Sequence, residues 1–239
     1  MIFMEEKRGM AYKEENAERM RNDAENSKKV NKLYEKNYSG YWKRKRAFDI
    51  VCSLIGMILV SPLFWLIALC VYIDDPHGSP IYKQKRYGRH CEPFYMYKFR
   101  TMVVGAEKMR VDLQKDNEKN GPVFKMKNDP RVTRVGRILR KTGLDEIPQL
   151  LNVLKGDMSF VGPRPPLPEE VAQYSDYEKL RLMVTPGITC IWQIQPERDD
   201  ISFEDWVDMD IDYIGSRTIR QDIKLIFKTI YTVLKGTGH

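Results

Sequence analysis

Between Asp49 and Asp74 the chain carries no charged side chain, and the 24 residues from Ile50 to Ile73 are almost all apolar. As a straight helix at ~1.5 Å per residue they reach ~36 Å, enough to cross a hydrocarbon core of ~30 Å. This pattern predicts a membrane segment. Ser61-Pro62 interrupts it near the middle, where proline removes a backbone donor and crowds the preceding turn at a cost of about 3 kcal/mol in an ordinary helix. Basic residues flank both sides: Lys43, Arg44, Lys45 and Arg46 before it, Lys83, Lys85, Arg86 and Arg89 after it. The positive-inside rule therefore sets no orientation. A helix-break-helix hairpin that enters and leaves one leaflet puts both clusters on the cytoplasmic face, and a kinked single-pass helix is the alternative.

Elsewhere the pattern changes period. SPIYKQKRYG (79–88) and EPFYMYKFRTM (92–102) are rich in aromatics and predict two short strands joined by a Gly-Arg-His turn. DPRVTRVGRILRKTG (129–143) predicts a helix capped by Asp129, with Pro130 in its first turn and Gly143 at its end. Val132, Val135, Ile138 and Leu139 form its apolar stripe, and Arg131, Arg134 and Arg137 recur beside it, with Arg140 and Lys141 in its last turn. IPQLLNVLKG (147–156) predicts a second helix with Pro148 in its first turn. Near the C-terminus, Ile219, Ile223, Ile226, Ile230 and Val233 share one helical face, and Arg220, Lys224 and Lys228 another. An apolar stripe flanked by cations fits core packing or a helix lying in the headgroup layer, and the neighbouring membrane segment favours the latter. Residues 1 to about 40 mix both charges with few apolar side chains, which predicts a solvated helix or disordered arm. No h-region follows the arm directly, so it does not read as a secretory signal.

Charge and cysteine content narrow the classes. The 239 residues carry a net charge of +7, yet the stretch from Lys83 to Lys141 alone has 17 Lys and Arg against 6 Asp and Glu. The cationic surface is thus concentrated ahead of Asp145. Cys52, Cys70, Cys91 and Cys190 form no C-x-x-C pair, which indicates neither a zinc site nor a disulfide framework and points to a reducing, cytoplasmic setting. A nucleic-acid binder would need a recognisable module, and none is visible. A non-catalytic basic scaffold at an anionic membrane accounts for the cations, but it leaves one stretch without a role. That stretch is GLDEIPQLLNVLKGDMSFVGPRP (143–165), with adjacent Asp145 and Glu146 ahead of a helix and Arg164 set among prolines. Carboxylates at a helix N-terminus compensate its dipole, and an adjacent pair can also divide labour between a nucleophile and a metal ligand. Mg²⁺ needs only one or two carboxylates when substrate phosphates complete its shell. An arginine in a proline-set turn suits bidentate contact with phosphoryl oxygens.

KRAFDIVCSLIGMILVSPLF, IYKQKRYGRHCEPFYMYKFRTM, LRKTGLDEIPQLLNVLKGDMSFVGPRP and VTPGIT, in this order from about Lys43 onward, closely resemble the bacterial sugar transferase family, the monotopic phosphoglycosyl transferases. The resemblance implies transfer of a sugar 1-phosphate from a UDP-sugar to a polyprenyl phosphate, usually undecaprenyl phosphate, as the first membrane step of surface glycan assembly. It implies an α/β (α+β) membrane-associated domain with amphipathic interfacial helices, anchored in the cytoplasmic membrane by a re-entrant helix broken at Ser61-Pro62. The expected organisation is an arm over residues 1–42, the membrane helix over 43–76 and a cytoplasmic catalytic domain over 77–239. The arm matches nothing in short family members, and the multi-helix region of larger members is missing, so the chain resembles a small form. The arm's role stays open between pairing with another subunit, touching a partner enzyme and remaining disordered, and a homo-oligomer is compatible with it.

Residue by residue, the resemblance implies that Asp145 is the nucleophile and that Glu146, with Asp145 beside it, holds or organises Mg²⁺. It places Lys98, Arg100, Arg140 and Arg164 at the phosphates, and an acidic site residue at Asp210, with Asp212 close by. After PGIT the family commonly continues with Gly-Trp, any residue, Gln and then Gly-Arg. Here the sequence is CIWQIQPERDD. Gln193 and Arg198 keep their places among the binding residues, while Cys190 and Ile191 replace Gly-Trp. Variants with Cys-Ile-Trp-Gln resemble hexose-1-phosphate transferases, which points to UDP-glucose or UDP-galactose.

Overall fold

The apolar run folds as one 35-residue helix, α1 (Gly40–Asp74), in a computed structural model. The structure describes residues 40–106, 129–195 and 200–234, with positions 28, 108–109 and 126. The N-terminal arm, Lys28 and its last residues aside, lies outside the described residues. The helix begins three residues before the predicted membrane segment and ends two residues short of its end. Its helical assignment runs through Ser61-Pro62 without the predicted interruption. Pro62 has no N–H to offer the Ile58 carbonyl four residues back, and the Ser61 hydroxyl donates to that same carbonyl at 2.8 Å. The serine thus supplies the hydrogen bond that the proline removes.

Both ends of α1 are fastened to the same domain. Lys45, Asp49 and Ser53, four residues apart, form a buried polar stripe, and Lys45 Nζ lies 3.0 Å from Asp222 Oδ2. Arg46 donates to the Val153 and Leu154 carbonyls at 2.6 Å each. Toward the other end, Ile67 and Val71 pack with Phe99 and Leu139, and the Asp74 carboxylate accepts from the Val135 amide at 3.0 Å. Between these anchors the outer face is bare, with Ile58 and Leu59 about three-quarters exposed.

Beyond α1 the two aromatic segments pair as an antiparallel hairpin, β1 (Ile81–Tyr87) with β2 (Pro93–Phe99), in the register Tyr82↔Lys98, Gln84↔Met96 and Arg86↔Phe94. Then come α2 (Arg134–Thr142), a 3-10 turn (Leu144–Glu146) and α3 (Gln149–Lys155). The cap of α2 differs from expectation. Thr133, not Asp129, caps it by accepting from the Gly136 amide at 3.0 Å. Asp129 is instead taken by Arg131, whose Nε and Nη2 reach its carboxylate at 2.8 and 2.6 Å, which leaves Pro130 ahead of the helix.

β3 (Ser159–Val161) pairs in parallel with β4 (Gly187–Thr189). The one-turn helices α4 (Pro168–Val171) and α5 (Asp176–Lys179) fall between them, and α6 (Phe203–Ser216) and α7 (Ile219–Leu234) follow. The main core forms where Val161 meets Val207, Ile211, Ile214 and Leu225. On α7, Leu225 is buried whereas Phe227, Ile230 and Tyr231 are half exposed or more. The result is a mixed helix and sheet domain with one long apolar helix along its side.

Candidate active site

Gly143 ends α2 in the left-handed region at φ 67°, a conformation that costs a glycine little. The reversal starts the 3-10 turn that carries the acidic pair. Asp145 is 6% exposed and Glu146 is half-buried. Lys98 reaches across from β2 to place Nζ 2.6 Å from Glu146 Oε1 and 3.9 Å from Asp145 Oδ2. Burial pushes the Asp145 carboxyl above its ordinary range, with Glu146 adding to the rise, while Lys98 and Arg140 pull the other way. Arg140 feels the reciprocal effect: burial lowers its guanidinium and Asp145 raises it. Lys98 therefore helps to keep a buried carboxylate ionised.

Arg164 stands opposite, on a loop fixed from both sides. On one side the Gly187 amide donates to the Pro163 carbonyl at 2.9 Å and the Gly162 amide to the Thr189 carbonyl at 3.0 Å. The two glycines touch through their backbones, so that a Cβ on Gly187 would sit 2.1 Å from the Gly162 nitrogen. On the other side Arg86 Nη1 donates to the Pro165 carbonyl at 2.9 Å, and the Tyr87 amide to the Pro166 carbonyl at 3.0 Å. The Arg164 side chain itself makes no hydrogen bond among the described residues and lines a cleft. That cleft lies between the inner face of the hairpin, Glu146, Pro165 and the start of β4 at Gly187–Ile188.

Four of the expected site residues, Lys98, Glu146, Arg164 and Gln193, line this cleft. Gln193 also accepts from the Cys190 amide through Oε1 at 3.1 Å. Asp145 and Arg140 stand beside them, close enough that each shifts the other's ionisation. Two residues are placed elsewhere. Arg100 is committed to the turn after α1, where it pairs with Asp75 and donates to the Ser79 and Gly78 carbonyls at 2.8 and 3.0 Å. Asp210 lies in the interior, 1% exposed, bonded to Arg181 Nε at 2.7 Å. Burial pushes its carboxyl up to about 6 against the pull of Arg181. Asp212 is exposed, and Arg198 lies outside the described residues.

Arg86, read from the sequence only as a basic flank of the membrane segment, and Gln149 also line the cleft. Burial and the neighbouring Arg164 bring the Arg86 guanidinium down to about 10. Strand alternation held the signal for Arg86, since the pairing puts it on the same face as Lys98 while Lys83 and Lys85 point outward.

Few carboxylates approach one another here: among the described residues no group of three or more metal-binding side chains occurs. The donor set of Asp145 and Glu146 nevertheless fits a hard cation such as Mg²⁺, which takes one or two carboxylates and fills its shell with phosphate oxygens and water.

Replacing Lys98 with Met removes the larger of the two cationic effects that oppose burial at Asp145. The acid limb of a pH–rate profile should then move to higher pH, because ionisation of Asp145 becomes harder. A profile of kcat/KM for both proteins checks this, and an unmoved limb would separate Lys98 from the ionisation of Asp145.

The model of the bacterial sugar transferase family matches residues 40–236. The chain is 44% identical over 202 residues to the undecaprenyl-phosphate galactose phosphotransferase of Salmonella typhimurium, covering 81% of this chain and 41% of that protein. It is 43% identical over 194 residues to the galactosyl transferase CpsE of Streptococcus agalactiae, covering 81% and 43%. It is 40% identical over 210 residues to the UDP-glucose:undecaprenyl-phosphate glucose-1-phosphate transferase of Escherichia coli, covering 83% and 42%. The chain thus spans about two fifths of the length of these relatives.

Proposed function

This chain belongs to the bacterial sugar transferase family, and from that premise we propose that it moves a hexose 1-phosphate, galactose or glucose, from its UDP-sugar to undecaprenyl phosphate with release of UMP. The names of the relatives support the substrates. The observation that carries the reading is a buried carboxylate, Asp145, held beside Lys98 next to a cleft lined by Arg164, whose side chain makes no hydrogen bond among the described residues.

An Asp145 oxygen attacks the sugar-bearing phosphorus of the donor. The bond from that phosphorus to the UMP oxygen breaks, UMP leaves with the electron pair, and an aspartyl phosphosugar remains. The phosphate oxygen of undecaprenyl phosphate then attacks the same phosphorus and displaces Asp145. Arg164 and Lys98 meet the charge on the phosphoryl oxygens, Arg164 through its two-pronged guanidinium and Lys98 as a point charge. Their positions are set before substrate arrives, by the backbone clamps around Pro163–Pro166 and by the β2 register. Asp145 and Glu146 would hold Mg²⁺, which when bound supplies further neutralisation of the pyrophosphate.

The docking of α1 supports a membrane arrangement. At ~1.5 Å per residue the 35-residue helix measures ~52 Å, and a straight crossing would carry one end away from a domain that grips both. We place α1 in one leaflet of the inner membrane as a re-entrant helix, bent rather than broken near Ser61-Pro62. The catalytic domain then faces the cytoplasm, and the bare apolar face of α7 rests in the headgroup layer. Single cysteines introduced as Lys43→Cys and His77→Cys in a cysteine-free background should both react with an impermeant maleimide from the cytoplasmic side only. Labelling from opposite sides would refute the re-entrant topology.

Incubating the detergent-solubilised protein with undecaprenyl phosphate, Mg²⁺ and either UDP-galactose or UDP-glucose tests the reaction. Release of UMP matched by lipid-linked hexose phosphate is the expected result. UMP without lipid product, or no UMP from either donor, would reject it.

A further inference from the structure

Gln149 and Asn152 stand one turn apart on the buried face of α3, and the two residues are 2% and 0% exposed. Their bonding differs. Asn152 is fully employed: its Oδ1 accepts from the Tyr97 amide at 3.0 Å, and its Nδ2 donates to the Tyr95 carbonyl at 2.7 Å and to Asp157 at 3.1 Å. It ties α3 to the hairpin. The Gln149 side chain makes no hydrogen bond among the described residues, and it lines the cleft beside Glu146 and Lys98. A carboxamide held in the cleft wall with neither its donor nor its acceptor paired to the protein offers both to whatever enters. Such a group is satisfied when a ligand fills the cleft.

The chemistry of the amide narrows what that ligand group is. Phosphate oxygens only accept, so they would engage the Gln149 Nε2 donor alone and leave Oε1 without a partner, and Lys98 and Arg164 already offer them cationic donors. A hydroxyl both donates and accepts, as a carboxamide does. Gln149 follows Glu146 by three residues, so its reach is to groups next to the attacked phosphorus. On the donor those groups belong to the transferred sugar, because the base is separated from that phosphorus by a second phosphate and a ribose. We propose that Gln149 is a specificity-determining residue that hydrogen-bonds the C2 hydroxyl of the transferred hexose. This inference rests on the transferase reading above.

The test compares a hexose donor with its 2-deoxy analogue in the wild-type protein and in Gln149→Met, which keeps the side-chain length and removes both polar atoms. Whichever of UDP-galactose and UDP-glucose supports UMP release serves as the parent. Wild type should prefer the hydroxylated donor by about 10- to 100-fold in kcat/KM. Gln149→Met should lose about that factor on the hydroxylated donor and nothing on the deoxy donor, so that the preference collapses toward one. A variant that slows both donors equally, or keeps the preference, would overturn the assignment and leave Gln149 as a packing residue. So would a wild type that does not discriminate the two donors. A wild type that releases no UMP from any donor would instead refute the transferase reading itself.

Discussion

Asp145→Asn lowers UMP release by about 10⁴-fold or more while the protein unfolds at the same or a higher temperature. The loss follows because a carboxamide nitrogen or oxygen in that position does not form a stable acyl phosphate, and among the described residues no other carboxylate is placed to replace it. Glu146, the neighbour, has its Oε1 held by Lys98 at 2.6 Å. The unfolding result comes from the ionisation of Asp145. Burial raises its carboxyl above the ordinary range, so the folded protein binds that proton more tightly than the unfolded chain. The stability it contributes is fully present only below its unfolded pKa and is lost as pH rises through its folded pKa. At neutral pH the ionised carboxylate is a net cost to the fold, which the neutral asparagine relieves. A group kept at the expense of stability is a mark of function. Activity and thermal unfolding measured on one preparation check both halves. A variant that is inactive and also markedly destabilised would mean that Asp145 is a structural carboxylate.

Arg164→Ala lowers kcat by about 10²- to 10³-fold, the range seen when one preorganised donor to a developing oxyanion is removed. Its loop should not collapse, because the clamps are made by backbone groups and by Arg86, none of which involves the Arg164 side chain. Arg164→Lys restores part of the rate. It returns the charge but lacks the planar fork that engages two phosphoryl oxygens at once. Steady-state kinetics on the three proteins separate these contributions. Equal rates for the Ala and Lys variants would show that charge at this position does not matter.

Local chemistry made much of the site legible. The two β-segments, the ends of α2 and α3 at Gly143 and Gly156, and the juxtaposition of Lys98, Glu146 and Arg164 all follow from alternation, turn residues and the resemblance carried by those motifs. What stayed hidden depends on long-range partners. Arg100 reads as one more cation beside Lys98, yet its position one strand-end later turns it to the Asp75–Ser79 loop. Asp129 reads as a helix cap until Arg131 captures it. Asp210 pairs with Arg181, 29 residues away, a distance along the chain at which no local pattern speaks. The helix that carries it, α6, was not anticipated as an element because its acidic residues dilute the apolar period. The Ser-Pro pair was legible as a special point in α1, but the hydroxyl bond to the Ile58 carbonyl, which lets the helix continue, appears only in the structure.

The central claim is that Asp145 carries the phosphosugar between donor and lipid. The most direct measurement is intact-protein and peptide mass spectrometry after rapid mixing with the UDP-hexose and Mg²⁺ in the absence of undecaprenyl phosphate. The account predicts one hexose phosphate added to the peptide containing Asp145, formed with a matching burst of UMP and discharged when undecaprenyl phosphate is supplied. UMP release that requires the lipid from the outset with no adduct formed, or an adduct on any other residue, would contradict it.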